Sequence, residues 1–163
     1  MFTAIVVPQH ATGTLRSDSG SELDMTSSAH ESVLTALVAD SGALGGFLYL
    51  KSGIHLCRVC GTSGLEAPID LDTDVADYLA HALEPDTIAA ECLSETKPLP
   101  VLESCTGQRF IPCLLEEGVG IGLERVAGVA VLAVPDGTNV EVSMTRRAAA
   151  ARALMPLTGE RNH

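Results

Sequence analysis

The chain contains no tryptophan, and aromatic residues make up 3% of its 163 positions. A core without large rings must be filled by Leu, Val, Ile and Ala, each burying a modest apolar area. Basic residues are scarce as well. Ten Lys and Arg against 21 Asp and Glu give a formal charge of -11 and a sequence pI of about 4.7. A phosphate-backbone binder needs a basic surface, so this balance argues against nucleic acid and against anionic membranes as partners. Long hydrophobic runs are also missing. The first apolar stretch, Phe2 to Val7, stops at Pro8 and is too short to span a bilayer.

Several catalytic patterns are absent. No Ser stands in GxSxG, and His10, His30, His55, His81 and His163 have no HExxH context, so hydrolase chemistry has no anchor. Asp70, Asp72 and Asp74 begin like a calcium loop, but its sixth position is Val75 instead of Gly and its twelfth is His81 instead of Glu. Helix capping by Asp72 and acidic charge at a helix N-terminus account for the cluster. Gly118, Gly120 and Gly122 lead into a strand, not a helix, and no Lys-Ser/Thr follows them, so they read as an inter-strand loop. No repeat of 20–50 residues is visible, which excludes solenoids and propellers.

What is present is a globular composition, with 46% hydrophobic and 19% charged residues. The length fits one domain with a core of its own. Residues 1–27, rich in Ser, Thr, Gly and Asp from Gln9 onward, read as a flexible leader. The domain then covers 28–156, with 157–163 as a tail. Ser28 and Glu31 have the spacing of a capping box, and Val33, Leu34, Leu37 and Val38 form one helical face behind it. Gly42 is placed to close that helix. Ala43–Leu50 and Ile54–Gly61 read as a hairpin joined by Lys51-Ser52-Gly53. A helix from Asp72 or Thr73 carries the stripe Val75, Tyr78, Leu79, Ala82 and Leu83, and Pro85 suits the start of a short helix through Leu93. Lys97–Glu103, Arg109–Leu115 and Val126–Val134 read as strands, the last apolar on both faces and therefore central. Ser143–Met155 reads as a final helix ending before Pro156. The expected class is α+β: a central antiparallel sheet with helices packed on one face and at the termini.

The five cysteines, Cys57, Cys60, Cys92, Cys105 and Cys113, are odd in number, and the chain opens without a secretory pattern. A reduced cytoplasmic setting is the expectation, with the thiols acting as small buried hydrophobes. Cys57-Arg58-Val59-Cys60 is a CxxC, able in principle to chelate a metal or cycle as a dithiol. On a regular strand residues three apart point to opposite faces. A shared site therefore requires a bulge at Val59, with His55 or Cys92 completing a tetrahedron.

The element order, and the strings SGALGGFLYLKSGIHLCRVCG, RFIPCLLEE and RVAGVAVLAVPDG, resemble a GAF domain over about Ser28 to Met155. A roadblock-type regulatory domain has a similar order of helix, hairpin, helix, strands and helix. The GAF resemblance implies a regulatory domain in bacterial signalling. Such a domain binds a small molecule beside its sheet, meets a signalling protein, or forms a homodimer through its terminal helices. The family's cyclic-nucleotide signature and bilin-attachment context are absent, and the residues leave any cofactor unidentified. Arg58, Cys60 and Arg109 are the candidate ligand-binding residues, since an arginine fork suits carboxylate or phosphate. Val33, Leu37, Met144, Ala148, Ala151 and Met155 would form the dimer seam. Val59-Cys60-Gly61-Thr62 also resembles a string of the free-methionine-R-sulfoxide reductases. That resemblance, with Cys57, Cys60 and Cys92, defines the alternative of a thiol enzyme or metal sensor; a purely structural dimerisation module is the other alternative. Arg146, Arg147 and Arg152 form the single basic cluster, on the last helix.

Overall fold

Val126–Val134 is buried at all nine positions, and it occupies the centre of the sheet, as its two apolar faces predict. The computed structural model describes residues 20–83, 101–103, 107–117, 125–138 and 140–158. In chain order the elements are α1 (Gly20–Ser41), β1 (Gly45–Ser52), β2 (His55–Gly61), α2 (Leu71–Ala82), β3 (Leu102–Glu103), β4 (Arg109–Glu116), β5 (Val126–Val134) and α3 (Met144–Thr158). All five strands join one antiparallel sheet in the order β2-β1-β5-β4-β3. The fold is α+β.

Alternation along the strands divides the core in two. Leu48, Leu50, Ile111, Cys113, Leu115, Ala130, Leu132 and Val134 face α1 and α3, meeting Leu34, Leu37, Ala150, Ala151 and Leu154. Phe47, Tyr49, Leu56, Phe110, Val129, Val131 and Ala133 face α2, meeting Leu71, Val75 and Leu79. Helices therefore cover both faces, where one was expected. A sheet whose central strand is apolar on both sides exposes too much surface to water unless each side has a cover.

The hairpin forms as predicted, with a tighter turn. Ser52 pairs with His55, so the loop is Gly53-Ile54, and Gly53 takes φ 63°. A glycine with positive φ at the first loop position suits a two-residue hairpin whose twist matches its strands. Gly42 closes α1 in the left-handed region, at φ 74°, its N–H donating to the Val38 carbonyl at 3.1 Å.

Three helix boundaries differ from expectation. Helix α1 starts at Gly20, so Ser28 lies inside it instead of capping it, and the Ser32 hydroxyl donates to the Ser28 carbonyl at 2.8 Å. At the start of α2 the N-cap position belongs to Asp70, not Asp72, and makes no side-chain capping bond. Helix α3 runs through Pro156 to Thr158; a proline this close to a helix end removes a single ladder bond. The expected helix from Pro85 to Leu93, the first part of the strand Lys97–Glu103 and the glycines of 118–122 lie outside the described residues.

Strands β1 and β5 approach so closely that a Cβ at Gly128 would run into the Tyr49 carbonyl. Because that obstacle is backbone, no rotamer change relieves it. Gly128→Ala is expected to lower the unfolding free energy by about 3 kcal/mol or more, measured by urea denaturation. A loss under about 1 kcal/mol would show that the strand pair can open at this point.

Candidate functional site

Strand β2 carries a bulge. Tyr49 pairs with Arg58 and Leu48 with Cys60, leaving Val59 without a partner on β1. The extra residue changes the parity of everything around it. Arg58 shares the α2 face with Tyr49. By register Cys57, opposite Leu50, and Cys60, opposite Leu48, share the α1/α3 face, where Val59 and Cys60 pack against the core. The bulge that the CxxC spacing required at Val59 is present, while among the described residues no group of three or more possible ligands completes a site, and Cys92 lies outside them.

On the α2 face the side chains of Phe47, Tyr49, Arg58 and Asp72 converge. The fully buried Tyr49 donates its hydroxyl to Asp72 Oδ1 at 2.6 Å, and Arg58 lies 3.6 Å from the same oxygen. The Arg58 guanidinium sits 5.7 Å from the centre of the Phe47 ring, a cation–π distance. Phe47 in turn packs at a tilt on Phe110, with centroids 6.3 Å apart. Asp72 is in the first turn of α2, so the cluster ties that turn to β1 and β2. Burial, and after it the Asp72 hydrogen bond, drives the Tyr49 hydroxyl far above the usual phenol range. Tyr49 is a fixed donor, not an acid–base group.

Next to this cluster is a recess of about 290 Å³, lined by Pro68, Asp70, Leu71, Asp74, Leu102, Glu103 and Phe110. Its floor is apolar and its rim acidic. Burial, with Asp70 and Asp77 nearby, raises the Asp74 carboxyl above its usual range. A shallower depression of about 460 Å³ lies by Leu44, Gln108 and Val134, at the same end of the sheet as the start of β4.

The three candidate ligand residues do not converge. Arg58 is under α2, whereas Cys60 and Arg109 belong to the opposite face, Arg109 pairing with Val134. Strands β2 and β4 are separated by β1 and β5, about 14 Å at ordinary strand spacing. Of the helix seam, Leu37 and Ala151 are buried in the core, Val33, Ala148 and Met155 are half-buried, and Met144 is exposed. The intramolecular core therefore uses most of that stripe. Arg146 forms an exposed ion pair with Asp40 at 3.1 Å, while Arg147 turns toward Cys113 and keeps a buried Nε without a hydrogen-bond partner.

Neither of the two shifted thiols is poised as a nucleophile. Burial, with Glu31 adding to it, pushes Cys60 up to about 11; burial does the same to Cys113, against the pull of Arg147. Cys92 and Cys105 lie outside the described residues. Among the described residues no group of three or more His, Cys, Asp or Glu is placed to hold a metal ion, and no helix is long and apolar enough to cross a membrane. The Tyr49–Asp72 bond joins residues far apart in sequence, and no local pattern announces it. No family model matches the chain, and no curated protein or solved structure matches it.

Tyr49→Phe removes a hydrogen bond to a charged group while leaving Arg58 beside Asp72, and is expected to cost about 1.5–3 kcal/mol. The folded-state pKa of Tyr49 lies above its unfolded value, so its contribution is intact below about pH 10 and is lost above it. Alkaline unfolding of the wild type should therefore begin above pH 10, and Tyr49→Phe should flatten that pH dependence. Equal slopes for the two proteins would remove the argument. His30 has the opposite sign. Its buried Nε2 has no hydrogen-bond partner, and burial lowers its pKa. Its contribution is present above about pH 6.5 and is lost as the pH falls below that value. Denaturation midpoints compared above and below pH 6.5 should fall further for the wild type than for His30→Gln.

Proposed function

We propose that this chain is a GAF-like regulatory domain without catalysis, which senses a small molecule or mediates a protein contact in bacterial signalling. The observation that carries this reading is the element order, helix, hairpin, helix, three strands, helix, wound on one antiparallel sheet. That order is common to GAF-like and roadblock-type regulatory domains. The recess at the start of α2 is the place for a ligand. It adjoins the Phe47–Phe110 contact and the first turn of α2, so an occupant there would press on the helix that Asp72 anchors. A homodimer through α1 and α3 would have only their outward residues, Met144 among them, for its contact.

The reductase-like alternative has one observation against it. Sulfoxide reduction requires a thiolate at working pH, and Cys60 is held protonated by burial and by Glu31.

Native mass spectrometry of the purified chain, repeated under denaturing conditions, tests the proposal. Added mass that is lost on denaturation, and lost also when Leu102→Trp fills the recess, is the expected result for a sensor. A clean dimer without added mass would support the contact-mediating reading. Turnover of free methionine sulfoxide that disappears in Cys60→Ser would overturn the non-catalytic reading.

A further inference from the structure

The geometry points to a two-coordinate site for a soft monovalent metal ion, Cu(I) in character, held between Cys57 and Cys60 on the α1 side of β2. It lies on the face opposite the recess and does not depend on the regulatory reading.

The argument begins with the bulge. Leaving Val59 unpaired sets Cys57 opposite Leu50 and Cys60 opposite Leu48, two positions on one face of the sheet. Their partners are two residues apart on β1, which separates the cysteine Cα atoms by about 7 Å. Side chains at such positions run roughly parallel. A disulfide needs converging Cβ vectors and Cα atoms usually closer than this, which disfavours a direct S–S bond. Both thiols are free in the structure. An ion between them relaxes the distance requirement. With metal–sulfur bonds near 2.3 Å, a linear bridge holds its sulfurs about 4.5 Å apart, a span that parallel side chains at this spacing reach by rotating about χ1.

The ligand count then selects the metal. Zinc in a structural site takes four ligands. Among the described residues no third His, Cys, Asp or Glu joins these two cysteines to hold an ion. Two thiolates suffice for an ion that is soft and content with linear coordination, and thiolate ligands suit Cu(I). The surroundings fit a cation. Glu31 on α1 lies close enough to place a negative field on Cys60, both cysteines are half-buried, and the chain carries a net charge of -11. Half-burial leaves a path for the ion while limiting water at the sulfurs.

Binding breaks two S–H bonds, forms two S–Cu bonds and releases two protons to solvent. Copper enters and stays as Cu(I), so no oxidant or reductant is consumed.

The test is an anaerobic titration of the reduced full-length chain with Cu(I) in competition with a chromophoric Cu(I) chelator. Native mass spectrometry gives the stoichiometry and X-ray absorption the coordination. The expected result is one Cu(I) per chain with two sulfur neighbours. Cys57→Ser and Cys60→Ser should each weaken binding by at least about 100-fold, beyond the 10–100-fold loss typical of an outer-shell partner. Cys92→Ser and Cys105→Ser should leave it unchanged. In the wild type, bound Cu(I) should protect Cys57 and Cys60 from alkylation, mapped by peptide mass spectrometry, a readout that does not depend on how the variants fold. Unchanged binding in Cys57→Ser, dependence on Cys92 or Cys105, or alkylation of Cys57 in the loaded wild type would each overturn the site.

Discussion

Everything in this molecule is arranged around a strand with no polar side. Strand β5 buries all nine of its residues, and such a strand is stable only with a neighbour on each edge and a cover on each face. The edges are met by β1 and β4, the faces by α2 on one side and α1 with α3 on the other. Gly128 lets the β1 backbone come close enough to complete the ladder. Leu, Val and Ala packing seals both faces. Chemistry is pushed outward, to the end of α2 beside β3 and to the edge strand β2.

On β2 a single inserted residue decides which chemistry goes where. Without the bulge, Arg58 and one cysteine would share the α2 face and the other cysteine would lie opposite. With Val59 unpaired, the cation goes to Asp72 and the Phe47 ring, and both thiols go to α1. The Asp72 carboxylate consequently has two partners, a buried hydroxyl and a half-exposed guanidinium. Of the two, the hydroxyl contributes more to stability, because the Arg58 pair at 3.6 Å is partly screened by water and an exposed pair of that kind contributes only about 0–1 kcal/mol.

Much of this could be read from the residues. The extended runs on either side of Gly53, the stripe from Val75 to Leu83 and the uninterrupted apolar run of Val126–Val134 were legible, and the structure agrees with each. What escaped the sequence has physical causes. The Ser-, Thr- and Asp-rich stretch before Ser28 has no apolar period, so nothing in it distinguishes helix from leader, yet α1 begins at Gly20. Coverage of both faces follows from β5 alone, but assigning α2 to one face and α1 with α3 to the other requires knowing the strand order. The CxxC spacing stated a condition, a bulge at Val59, without showing that it holds. The link from Tyr49 to Asp72 is beyond local pattern altogether, since it exists only after α2 is laid across β1. That Arg58, Cys60 and Arg109 stand apart has a related cause, since β2 and β4 are three positions apart in the sheet.

The environment of Cys60 then separates two kinds of sulfur chemistry that a sequence motif treats alike. Burial and the Glu31 carboxylate both favour the neutral thiol, so little thiolate is present near neutral pH to attack an electrophile. A metal ion alters that balance, because it replaces the proton instead of waiting for it to leave, and its positive charge reverses the sign of the Glu31 interaction. The features that disarm Cys60 as a nucleophile are therefore compatible with its acting as a ligand. They also make any such binding steeply dependent on pH, since each thiol must give up its proton to the same solvent that sets the competition. For a CxxC on an edge strand, the informative quantities are the face each sulfur occupies and the sign of the nearest charge; the spacing alone supplies neither.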